Sequence, residues 1–201
     1  MKPIIFSGEM VRAILEGRKT QTRRVIKDSL IEYAVKKTRV CLEVFDSEIN
    51  QCRNIYPRFK VGDILYVRET WMPYATIESW IADEQLYFYK ADCSEKNLRA
   101  LKRDNAKWRS PYHMPREAAR IFLRVTDVRC ERLQDITEHD ARAEGARGVM
   151  RTNTFPSVEE PLIAFWMIWD GLNAKRGYGW DSNPWVFVYE FERCEKDGGD
   201  E

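Results

Sequence analysis

Two histidines, five cysteines and a formal net charge of +1 across 201 residues leave several kinds of chemistry without the side chains to perform them. The cysteines (Cys41, Cys52, Cys93, Cys130, Cys194) are odd in number and widely spaced. With no Cys-x-x-Cys pair among them, they offer neither a disulfide framework nor the usual ligand spacing of a zinc site. His113 and His139 stand alone, outside any H-E-x-x-H pattern, so no metal site and no cofactor are expected. The near-zero charge gives no long-range steering toward nucleic acid, and any site for a polyanion has to be local. No apolar run approaches the roughly 18 residues of a membrane span, and "MKPIIFSGEM" lacks the apolar stretch of a signal peptide. The expectation is a cytoplasmic protein with no membrane partner. No Rossmann or P-loop glycine pattern, internal repeat or Pro/Gly/Ser-rich linker is present.

What is present is globular composition, 44% hydrophobic and 32% charged, with enough chain for a real core. "SGEMVRAILEG" reads as a helix capped by Ser7, with Met10, Val11, Ile14 and Leu15 on one face and Gly17 at the left-handed exit. "TQTRRVI" is rich in β-branched residues, and "FKVGDILYVRETW" reads as a turn at Gly62-Asp63 followed by a strand through Glu69. "RIFLRVTDVRCERL" is a long strand, bent or bulged near Asp127. "PWVFVYEFERC" sets Trp185, Phe187, Tyr189 and Phe191 against Val186, Val188, Glu190 and Glu192, the period of a strand with two unlike faces. "DITEHDARAEG" offers Thr137 as a helix cap and Gly145 as a stop. In "VEEPLIAFWMIWDGL", Leu162, Phe165, Trp166, Ile168, Trp169 and Leu172 form one wide helical stripe suited to core packing.

These short strands with inserted helices favour an α+β fold built on a small mixed or closed sheet. Less periodic stretches at about 28–60 and 72–116 read as insertions into a single domain spanning 1–194, followed by a frayed tail at 195–201. The second insertion holds "LRALKRDNAKWRSPYHMPR", where Trp108 and Tyr112 interleave with basic residues in a mixture able to hold a phosphate backbone and stack a base.

The densest chemistry lies in "GRKTQTRRVIK", with five basic residues, two threonines and no acid. Lys19 acts as a base only where burial or a neighbouring cation lowers its pKa, and a threonine hydroxyl needs an adjacent base. Lys19 and Thr22 are three apart, so a regular strand sends them to opposite faces. Bringing them together requires an irregular backbone after Gly17. An exposed basic strand is the bland alternative. Glu69, beside Trp71 in "RETW", is a second carboxylate able to accept from an exocyclic amine while the indole stacks on a base. Pairing of Glu69 with Arg68 or Arg24 is the structural alternative.

"GRKTQTRR" resembles the Gly-x-Lys-x-x-Thr-x-Arg signature of ASCH domains. "VGDILYVRETW", "RVTDVRCERLQDITEHDARAEG" and "NPWVFVYEF" follow in the order seen in that family's longer phage and bacterial members. The resemblance covers somewhat less than half the chain. It implies a PUA-like β-barrel of mixed strands with flanking helices, and a cleft for RNA or a modified nucleoside. Some small ASCH proteins remove the acetyl group of N-acetylated cytidine with a lysine, a threonine and a glutamate, which match Lys19, Thr22 and Glu144 here. The implied function is a metal-independent amidohydrolase acting on an acylated nucleoside. Arg23 and Arg24 then serve the oxyanion or the substrate, and Glu69 and Trp71 are further binding candidates. The alternatives are a module that binds RNA or a modified base, and one that also cleaves RNA. This chain is about twice the length of the small hydrolases, and its oligomeric state is open.

Overall fold

The computed structural model describes residues 1–27, 34–46, 48, 50–73, 87–94, 99, 107–147 and 160–196. Of the readings above, residues 28–33, most of 74–106, the start of "VEEPLIAFWMIWDGL" and the tail from 197 lie outside the described residues. The architecture is α+β, with most of the regular structure in strands. The chain divides into two compact units, one comprising Met1–Glu16, Asp63–Arg124 and Arg193–Glu201, the other Gly17–Gly62 and Val125–Glu192.

In the first unit, β1 (Lys2–Ile5) pairs in parallel with β6 (Ile64–Arg68), Ile4 opposite Val67. Strand β6 also pairs antiparallel with the start of β9 (Phe122–Arg132), Leu65 opposite Leu123. Helix α1 (Gly8–Leu15) begins where the Ser7 side chain accepts from the Met10 N–H and ends at Glu16 before Gly17, whose φ is +73°. Val11, Ala13 and Ile14 are its buried side. A short pair, β7 (Trp71–Pro73) and β8 (Tyr87–Tyr89), brings Trp71 opposite Tyr89. Trp71, Tyr89, Met114, Ala118 and Phe122 pack there as one cluster.

In the second unit, β2 (Gln21–Val25) pairs antiparallel with β10 (Trp185–Cys194), Thr22 opposite Tyr189 and Arg23 opposite Val188. β3 (Ala34–Lys37), β4 (Leu42–Asp46) and β5 (Gln51–Ile55) form a three-stranded antiparallel meander within the first expected insertion. Helix α2 (Glu138–Ala143) opens with a reciprocal cap in which Thr137 accepts from the Asp140 N–H and Asp140 accepts from the Thr137 N–H. Helix α3 (Pro161–Asn173) has its proline in the first turn, where no donor is lost. Both helices pack on one face of β10: Ala141, Ala164, Phe165 and Trp169 meet Val186 and Val188.

Strand β10 has the alternation expected of it, and its residues from Val186 to Tyr189 are buried on both faces. The α3 stripe, in contrast, is narrower than its apolar sequence implied. Phe165 and Trp169 are buried, whereas Trp166 is 42% exposed, Ile168 38% and Leu172 47%. A helix that is hydrophobic all round does not reveal which side packs, because every side carries the signal.

Candidate active site

The site begins at the C-terminal end of α2. A helix leaves its last carbonyls without internal partners, and basic side chains or neighbouring N–H groups satisfy them. Here three successive residues of the opening segment do so. Arg18 Nη1 donates to the Gly145 carbonyl at 3.0 Å, Lys19 Nζ to the Glu144 carbonyl at 2.9 Å, and the Thr20 N–H to the Ala143 carbonyl at 2.8 Å. Gly145, at φ +85°, supplies the left-handed turn that ends the helix there. Lys19 and Glu144 form an isolated antiparallel bridge.

That bridge places the two side chains against each other inside the protein. Lys19 Nζ lies 2.6 Å from Glu144 Oε2, with the lysine side chain fully buried and the glutamate 6% exposed. Nζ also donates to the Gln21 carbonyl at 2.8 Å. An ammonium has three protons, and these two carbonyls and one carboxylate are three acceptors for them. Burial lowers the Lys19 pKa; Glu144 opposes the shift, and the nearby positive charges of Arg24 and Arg23 add to it. The amine is therefore drawn toward the neutral form by its surroundings and held in the charged form by one carboxylate.

Arg23 holds the other oxygen of that carboxylate. Its Nη1 is 3.2 Å from Glu144 Oε1, its Nη2 is 2.7 Å from Glu131 Oε1 and 3.4 Å from Asp140 Oδ2, and its guanidinium stands 5.8 Å from the Phe165 ring centre. Arg129 closes the network, bonding Glu131 at 3.0 Å, Asp140 at 2.9 Å and Glu190. Burial raises the Asp140 pKa, but hydrogen bonds from Thr137, the charge of Arg23 and a hydrogen bond from Gln21 outweigh it, and the net shift is downward. Arg23 is thus a buried cation held by three acids.

Thr22 and Arg24 occupy the opposite face of β2, as strand alternation requires. Thr22 is buried beside Tyr189. Among the described residues no hydrogen bond joins it to Lys19 or Glu144. The strand entry is nonetheless irregular. Thr20 gives its N–H to Ala143 and its carbonyl to Phe191, two different partners, where a regular ladder residue exchanges both with one. Arg24 is exposed, and desolvation by the surrounding protein lowers its pKa; Glu144 and Tyr189 oppose that shift and Arg58 adds to it.

Glu69 and Trp71 belong to the first unit. Glu69 is 1% exposed and takes a two-pronged contact from Arg120, Nε to Oε1 at 2.9 Å and Nη2 to Oε2 at 3.1 Å; Arg120 also pairs with Asp92. The partner is Arg120, not the Arg68 or Arg24 considered from sequence. Burial raises the Glu69 pKa against the effect of Arg120. Trp71 is 3% exposed beneath the Arg109 guanidinium, 5.3 Å from its ring centre, and among the described residues its buried indole nitrogen has no hydrogen-bond partner.

No family model, curated protein or solved structure matches this chain. Sequence reasoning missed Glu131, Asp140 and Arg129, which surround Arg23. Alternation within "RVTDVRCER" puts Arg129 and Glu131 on one face of β9, the one signal that pointed to them. Among the described residues no group of His, Cys, Asp and Glu is arranged to hold a metal ion, and no helix is long and apolar enough to cross a membrane.

Proposed function

We propose that this chain is an ASCH-type protein with a PUA-like barrel, and that it hydrolyses the amide of an acylated nucleoside such as N-acetylated cytidine without a metal ion. The observation that carries this reading is the sealed Lys19–Glu144 contact of 2.6 Å. A buried amine with a lowered pKa, touching one carboxylate, is the pairing that general acid–base catalysis of amide cleavage needs.

The balance of protons runs through that contact. Lys19 passes a proton to Glu144 Oε2 and so gains a lone pair. It then takes a proton from the Thr22 hydroxyl, or from a water held by it, as the oxygen attacks the acyl carbon. Glu144 gives its proton to the departing cytosine nitrogen as the C–N bond breaks. Where Thr22 is the nucleophile, water releases the acetyl group in a second step. Arg23 keeps the Glu144 carboxylate in place through Oε1, and Arg24 faces the developing oxyanion.

Incubation with N-acetylated cytidine followed by chromatography is the test. Wild type is expected to release cytidine. Lys19→Ala, Glu144→Gln and Thr22→Val should each lose about 10²-fold or more in turnover while remaining folded. Full activity in any of the three removes that residue from the mechanism. An inert wild type that instead retards RNA with a steep salt dependence establishes the binding module, and shortened RNA establishes a nuclease.

A further inference from the structure

A guanidinium can receive a carboxylate on its side edge or on its end, and in Arg23 different acids occupy the two. Nε at 3.1 Å and Nη2 at 2.7 Å both donate to Glu131 Oε1, which takes up the side edge. Nη1 reaches Glu144 at 3.2 Å, through Oε1. Oε2 of Glu144 is thereby left to Lys19, at 2.6 Å. Glu131 is itself fixed from behind, since Arg129 Nε donates to its Oε2 at 3.0 Å. Arg129 and Glu131 are two apart on β9 and so share a face, and Arg129 is anchored in turn by Asp140 and Glu190. All of these residues belong to the second unit.

The sharing of Glu144 between two cations is not what Arg23 and Glu144 would choose by themselves. A guanidinium binds a carboxylate best through two parallel N–H···O bonds, one to each oxygen. The Arg23 side chain is fully buried, so donors released by one acid must find another protein acceptor. Asp140, 3.4 Å from Nη2, has its oxygens already engaged by Thr137, Gln21 and Arg129. Glu144 is the acid that remains. A guanidinium that turned to take both of its oxygens would draw Oε2 away from Lys19.

We propose that Glu131 is a positioning residue for the Lys19–Glu144 pair: by occupying the side edge of Arg23, it keeps that guanidinium from chelating Glu144 and reserves Oε2 for the lysine. Its consequence for turnover rests on the hydrolase reading, whereas its consequence for the contact rests on geometry alone.

Crystal structures of wild type and Glu131→Gln, with steady-state kinetics on N-acetylated cytidine, test it. In Glu131→Gln, Arg23 should hold both oxygens of Glu144, and Lys19 Nζ should lie beyond about 3.5 Å from Oε2. Turnover should fall about tenfold or more in kcat with KM nearly unchanged, and Glu131→Asp, which keeps the charge, should recover part of the loss. The double variant Arg23→Met/Glu131→Leu removes the restrained group together with its restraint, so it should fold even if Glu131→Gln does not, and should keep Lys19 on Oε2. An unchanged Lys19–Glu144 contact in Glu131→Gln overturns the proposal, as does loss of that contact in the double variant. A broken contact with kcat at the level of an active wild type overturns the role in turnover. A wild type without turnover whose contact breaks in Glu131→Gln refutes the hydrolase reading alone, while an active wild type whose contact survives that substitution refutes the positioning role alone.

Discussion

Glu144 serves two cations at once, Lys19 through one oxygen and Arg23 through the other, and the two contacts are unequal in what their loss exposes. Glu144→Gln removes a carboxylate that touches a fully buried ammonium, and urea denaturation should report a loss of about 3–5 kcal/mol. Lys19→Met leaves Glu144 still paired with Arg23 and should cost less. The double variant should be more stable than the sum of the single changes predicts, since neither charge is then stranded. The same neighbours set a pH dependence. Arg24 helps to lower the Lys19 pKa, so its removal moves that pKa upward. Loss of the Lys19 proton to solvent leaves Glu144 with none to give the departing nitrogen, so with Arg24→Ala the falling limb of kcat against pH should shift to higher pH than in wild type, measured at saturating substrate. An unmoved limb would show that the titrating group is not Lys19.

Helix α2 matters to the site through its ends. Its capping box lies one turn from Gln21 and Arg23 by way of Asp140, and its exit presents Glu144. Thr137→Ala should cost about 1 kcal/mol of stability, and Gly145→Ala, forced to φ +85°, about the same. Both should also lower kcat by misplacing Glu144, which distinguishes them from an equally destabilising change elsewhere. Helix α3 offers that control. Phe165→Ala, in the core, should cost about 3–5 kcal/mol, whereas Trp166→Ala on the exposed side should stay within about 1 kcal/mol. Boundaries of α1, α2, β2 and β10 were legible because caps, left-handed glycines and strict alternation act over a few neighbouring residues. The partnership of Lys19 with Glu144 was not legible from spacing, since 125 residues separate them; only the resemblance suggested it. The burial of Arg23 and its contact with Glu131 were equally out of reach, because both depend on which strand faces β2.

Two carboxyl groups in different units impose opposite slopes on the stability of the whole chain. Asp140 has a folded pKa below its unfolded value of 3.8. Its contribution is complete above that value and fades as pH falls through the lowered folded pKa, because the unfolded chain then binds the proton more readily. Glu69 is the reverse, with a folded pKa above its unfolded value of 4.5. Its contribution is present below 4.5 and fades as pH rises through the raised folded pKa. Urea midpoints measured against pH should therefore pass through a maximum in the acid range if these two groups dominate. Asp140→Asn should flatten the loss on the acid side below about pH 4, and Glu69→Gln the decline above 4.5. If Glu69→Gln instead leaves the upper slope intact, the contact with Arg120 outweighs burial, and Glu69 titrates as an ordinary paired acid.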